Sequence, residues 1–100
     1  MSDGQSRVEV VVRGRVQGVG FRYFVLRRAT RLGLGGWVAN ERDGTLRFVA
    51  QGNPEAVDEL VEAVRQGPRG ARVEAVDINR LPPGGAFDGF DVRASGHRGD

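Results

Sequence analysis

The spacing of apolar residues changes period along this chain, and that change narrows the fold more than any other feature. Val8, Val10 and Val12 recur at every second position between Arg7 and Arg13. Period two places all three on one face of a strand. Shortly afterwards Phe21, Phe24, Val25, Ala29 and Leu32 recur at intervals of three and four, with Arg27, Arg28 and Arg31 opposite. This spacing predicts an amphipathic helix over Phe21–Leu32. Gly33 then stands where a left-handed residue ends a helix.

The alternation continues. Gly36–Asn40 reads as a short strand in which Trp37 is expected to pack into the core. Glu41–Gly44 reads as a turn, with Asp43-Gly44 supplying positive φ. Leu46, Phe48 and Ala50 share one face of a strand over Thr45–Ala50. A second helix opens with Asn53 as N-cap, Pro54 in the first helical position and Glu55 in the first turn. Its buried stripe is Val57, Leu60, Val61 and Val64, and Gly67-Pro68 ends it. Val73–Ile78 predicts a strand, Pro82–Gly85 a loop and Phe87–Arg93 a last strand. The order β-α-β-β-α-β, with right-handed crossovers, predicts an α+β class and a ferredoxin-like α/β sandwich. It has an antiparallel sheet of four to five strands, with two helices on one face. A chain of 100 residues holds one such domain. Its expected extent is 7–93, with flexible polar tails over 1–6 and 94–100.

Several chemistries are excluded by what is missing. The chain has no cysteine, and its one histidine, His97, lies in the polar C-terminal stretch. Lysine is absent, so all 15 basic side chains are arginine. Thiol nucleophiles, lysine Schiff bases and histidine-centred triads or metal cages are thereby removed or disfavoured. No apolar run approaches the roughly 20 residues that cross a bilayer. The N-terminus has no signal-peptide pattern, and a reducing cytoplasm is the expected location. A net charge of +2 permits nucleic-acid binding without demanding it.

The remaining chemistry concentrates in Gly14-Arg-Val-Gln-Gly-Val-Gly-Phe-Arg22, which joins a strand directly to a helix start. Two glycines let successive amides curl into an anion nest, and the helix dipole adds roughly half a positive charge. Phosphate suits such a site. Arg22 sits where a cation opposes the dipole by about 0.3–1 kcal/mol, and a bound dianion would reverse that sign. The same residues also read as a plain glycine-rich connection with an exposed arginine. They form neither a Walker loop nor a dinucleotide loop.

The stretch Gly14–Arg22 resembles the first motif of the acylphosphatase family, and Gly33–Gly44 resembles its second. The likeness runs from about Arg7 to Arg93, with Gln51-Gly52, Gly67-Pro68 and Phe90-Asp-Val92 included. Gly20, Leu46 and Arg47 stand where the family varies or more often carries other residues. The resemblance implies metal-independent hydrolysis of acyl phosphates to a carboxylate and inorganic phosphate by a cofactor-free cytoplasmic monomer. It places the catalytic arginine at Arg22 and the catalytic asparagine at Asn40. Substrate phosphate would be held by the backbone of Arg15, Val16, Gln17, Gly18, Val19, Gly20, Phe21 and Arg22. Inorganic phosphate or sulfate would compete, and neither nucleic acid nor membrane is an expected partner. Other readings are a carbamoyl-phosphate-processing relative, a phosphate-binding relative without activity, and an RNA-binding module of the same fold. Without that resemblance, Asn40 reads simply as a turn residue before Glu41-Arg42.

Overall fold

The structure, a computed structural model, describes residues 4–94. His97 and the expected tails at 1–3 and 95–100 lie outside the described residues. The elements are β1 (Ser6–Arg15), α1 (Phe21–Arg31), β2 (Gly35–Asn40), β3 (Leu46–Gly52), α2 (Pro54–Gln66), β4 (Arg72–Leu81) and β5 (Phe90–Arg93). Ser6, expected in the N-terminal tail, is instead the first residue of β1 and pairs with Gly52.

The strands form one sheet in the order β4-β1-β3-β2-β5. β1 runs antiparallel to β3 and β4, and β2 antiparallel to β3. β5 departs from expectation because it lies parallel to β2, with Gly36 opposite Phe90 and Ala39 opposite Arg93. The sheet is therefore mixed. The cause is the connection after β4, which crosses the open face of the sheet before the chain turns into β5. Two contacts show this crossing. Gln51 donates to the Gly85 carbonyl and accepts from the Gly84 amide. Gly35 abuts Phe87, so a side chain there would run into the Phe87 Cβ. Phe87, expected to open the last strand, belongs to this crossing segment, and β5 starts at Phe90.

The core lies between the sheet and the helices. Val8, Val10, Val12, Val38, Leu46, Phe48 and Ala50 meet Phe21, Val25 and Ala29 of α1 and Val57, Leu60 and Val64 of α2. Both predicted stripes are confirmed, except that Phe24, edge-on to Phe21 at the rim, and Leu32, which follows α1 as its C-cap, are only half-buried. Trp37 reverses its expectation, since it stands on the open face rather than in the core. The guanidiniums of Arg47 and Arg93, from the strands on either side, lie 5.2 and 4.5 Å from its ring centroid. Alternation explains this: Gly36, Val38 and Asn40 point toward the helices, so Trp37 and Ala39 must point away.

Candidate active site

The two helices start in opposite ways. In α2 the Asn53 side chain accepts from the Glu55 and Ala56 amides, with Pro54 and an acidic residue in the first turn. Helix α1 has no side-chain cap and no acidic residue in its first turn. Its N-cap is Gly20, at φ 78° and ψ 19°, a left-handed conformation that glycine adopts without strain. Phe24 donates to the Gly20 carbonyl at 3.0 Å and closes the first turn. The amides of Phe21, Arg22 and Tyr23 lie within that turn and are left without a helical partner.

The loop leading there is held at both ends by burial, because Val16 and Phe21 are both 1% exposed. Between them Gly18 and Gly20 take positive φ on either side of Val19, at 76° and 78°. Alternating handedness of this kind turns successive N–H groups inward and makes an anion concavity. The exit from β1 is set by a bulge at Arg13/Gly14. Gly14 has φ 127°, and any Cβ there would strike the Arg72 carbonyl oxygen.

A cavity of about 130 Å³ opens at this point, lined by Val16, Gly18, Gly20, Phe21, Arg22, Tyr23 and Asn40. That volume fits a phosphoryl group and little more. Asn40 reaches it because β2 ends beside the start of α1 with its even-numbered residues facing the helices. The Asn40 Oδ1 is buried and has no hydrogen-bond partner. An unpaired buried acceptor costs about 1–3 kcal/mol, so its persistence points to a ligand or solvent molecule that it serves. Arg22 forms no ion pair among the described residues. The cavity thus joins an uncapped helix start, a free guanidinium and an orphaned carboxamide oxygen.

Of the residues expected to form the phosphate loop, Val16, Gly18, Gly20, Phe21 and Arg22 line the cavity together with Asn40. Arg15 does not. It ends β1 opposite Arg72 and lines a separate depression with Gly70, Ala71 and Glu74. Val19 packs against the core instead. The Gln17 side chain turns away and donates to the Glu41 and Thr45 carbonyls, at 2.7 and 2.9 Å. Tyr23 lines the cavity without having been expected there, and it is 60% exposed. Its position in the first helical turn, directly after Arg22, was the available signal.

The turn after Asn40 has its own fastening. Thr45 donates to Asp43 Oδ1 from its amide at 3.0 Å and from its hydroxyl at 2.7 Å. First the Thr45 amide and then its hydroxyl hold the Asp43 carboxyl below its ordinary value, and the more distant Arg13 charge adds to this.

Comparison with known proteins supports what the geometry suggests. The family model for acylphosphatase matches residues 8–92. The acylphosphatase of Salinibacter ruber is 53% identical over 89 residues, which is 89% of this chain and 94% of that protein. The acylphosphatase of Rubrobacter xylanophilus is 51% identical over 87 residues, 87% of this chain and 79% of that one. The crystal structure of acylphosphatase from Bacillus subtilis superposes with a TM-score of 0.85 at 35% identity. It covers 88% of this chain and 98% of its own. An uncapped glycine loop, a free arginine and a facing asparagine thus occur in a chain that belongs to the acylphosphatase family.

Proposed function

We propose that this chain hydrolyses the carboxyl–phosphate bond of acyl phosphates inside the cavity between the glycine loop and Asn40. The unpartnered Asn40 Oδ1, buried in the same 130 Å³ space as Arg22 and the bare helix start, is the observation that carries the reading.

The phosphoryl oxygens sit against the amides of the loop and the first turn of α1. The Arg22 guanidinium offers them a planar fork of donors. The main-chain donors are fixed before substrate arrives, so charge developing in the transition state meets them without reorganisation. Asn40 Oδ1 accepts a hydrogen bond from a water and turns the water's lone pair toward phosphorus. The new O–P bond forms in line as the bond from phosphorus to the acyl oxygen breaks. An amide oxygen is too weak a base to keep the proton, which passes to a phosphoryl oxygen. The leaving group is a carboxylate whose conjugate acid has a pKa of about 4, so it departs without a general acid. The step requires no covalent phosphoenzyme.

The proposed reaction is metal-independent, with the phosphoryl charge met by Arg22 and main-chain donors. Inorganic phosphate and sulfate carry the same oxygens and compete for the cradle. Against nucleic-acid binding stands the open face of the sheet, where Trp37 is already engaged by Arg47 and Arg93 and Phe48 is turned into the core. We place the reaction in a single monomeric domain, acting in the cytoplasm. None of its helices is long and apolar enough to cross a membrane.

The decisive assay is hydrolysis of benzoyl phosphate in the presence of a chelator, set beside an aryl phosphomonoester. Turnover of the first alone, unchanged by the chelator, is the expected result. Hydrolysis of both compounds, or loss of activity on chelation, would refute the mechanism.

A further inference from the structure

We propose that Gln17 is a positioning residue that sets the distance between the phosphate cradle and the carboxamide of Asn40. The inference rests on the hydrolytic reading above and deepens it. Gln17 does not line the cavity. Its side-chain amide instead spans from the glycine loop to the turn between β2 and β3. The NH2 group has two hydrogens, and both are used: one goes to the Glu41 carbonyl at 2.7 Å and one to the Thr45 carbonyl at 2.9 Å.

Those two acceptors are the groups that close the turn. The Glu41 amide donates to the Thr45 carbonyl at 2.8 Å, and the Gly44 amide donates to the Glu41 carbonyl at 3.1 Å. Glu41 directly follows Asn40, so the peptide carrying the Asn40 side chain leads straight into the clamped turn. At its other end the clamp holds the main chain just before Gly18, where the loop begins its two left-handed glycines. Val16 and Phe21 anchor the loop to the core, but neither bonds to the turn after Asn40. A single carboxamide thus joins the donors that hold phosphate to the acceptor that aims water.

In-line attack is sensitive to this spacing, since a misplacement of about 1 Å can cost a factor of about 100 in rate. Losing the clamp is expected to disturb the geometry of attack more than the affinity for phosphate. The cradle amides and Arg22 remain on α1 and its loop, which the core still anchors.

The test is a double-mutant cycle on benzoyl phosphate hydrolysis, combining Gln17→Met with Asn40→Ala. Methionine keeps the length of the side chain and removes both donors. In the otherwise unchanged protein, kcat is expected to fall by about 10- to 100-fold. KM and the dissociation constant for inorganic phosphate should stay within about threefold of their starting values. With Asn40→Ala already present, the same change should lower the residual rate by less than about threefold, because its target is gone. Gln17→Leu, uncharged and lacking the NH2 group, repeats the measurement should the methionine variant not fold. Equal losses in both backgrounds would overturn the proposal. A loss confined to KM and phosphate affinity, or a lower melting temperature with kcat unchanged, would do the same. Failure of the unmodified protein to hydrolyse benzoyl phosphate would refute the hydrolytic reading first, and this proposal with it.

Discussion

Replacing Asn40 with alanine separates stability from activity more sharply than any other single change. The Asn40 Oδ1 is buried without a hydrogen-bond partner. Water entering the cavity can satisfy that oxygen, so the carboxamide carries no standing penalty in the free protein. Removing it forfeits on the order of 1 kcal/mol of packing around a half-buried side chain. In a domain of this size 1 kcal/mol moves the melting temperature by about 4–8 °C. Asn40→Ala should therefore melt within about 8 °C of the parent protein in phosphate-free buffer. Turnover of benzoyl phosphate should nevertheless fall by about 100-fold or more, because the attacking water loses its guide. Phosphate affinity should hardly change, since the cradle is built from α1 and its loop. Thermal melts, steady-state kinetics and phosphate titration on one preparation check all three. A melting temperature lowered by more than about 8 °C, or a kcat retained within about threefold, would refute the reasoning.

Other changes probe the rest of the site and its frame. Arg22→Ala should lower kcat/KM by at least the equivalent of about 2.7–4 kcal/mol, and phosphate should no longer raise the melting temperature, as differential scanning fluorimetry would show. Gly14→Ala must push aside the Arg72 carbonyl and hold alanine at φ 127°; denaturant titration should show a loss of more than about 2 kcal/mol. The Asp43 carboxyl is held below its ordinary value of 3.8 by Thr45. A depressed carboxylate stabilises the fold above its unfolded pKa, and this contribution fades as pH falls through the lower folded value. Asp43→Asn should therefore flatten the stability profile below about pH 4 and leave its shape near neutrality unchanged, as melts across a pH series would show.

Much of this protein was legible along the chain because the relevant forces are local. The valine alternation in β1, the helical stripes of α1 and α2 and the Asn53-Pro54-Glu55 start all report burial at a fixed spacing, and each stands where the period placed it. The glycines of the loop before α1 were equally plain, since positive φ selects for them. The direction of β5 was not legible. It depends on a connection crossing the open face, fastened by Gln51 to Gly84 and Gly85, and no local pattern encodes which edge of a sheet a short strand will join. Trp37 was misplaced because a strand of six residues with glycine at its start carries too weak an alternation to fix which face is inward.

The site divides along the same line. Residue chemistry and spacing alone determined that an arginine and a bare glycine loop open the first helix, and the motifs pointed to Arg22 and Asn40. Only the folded chain decided that these two share one cavity, that Arg15 lies outside it and that Tyr23 lies within. It also turned Gln17 away from the cavity and onto carbonyls 24 and 28 residues distant in the chain. The physical reason is that periodicity and turn chemistry act between near neighbours. Contact across a sheet depends on register and on which face each side chain takes, and those are settled when the strands pair.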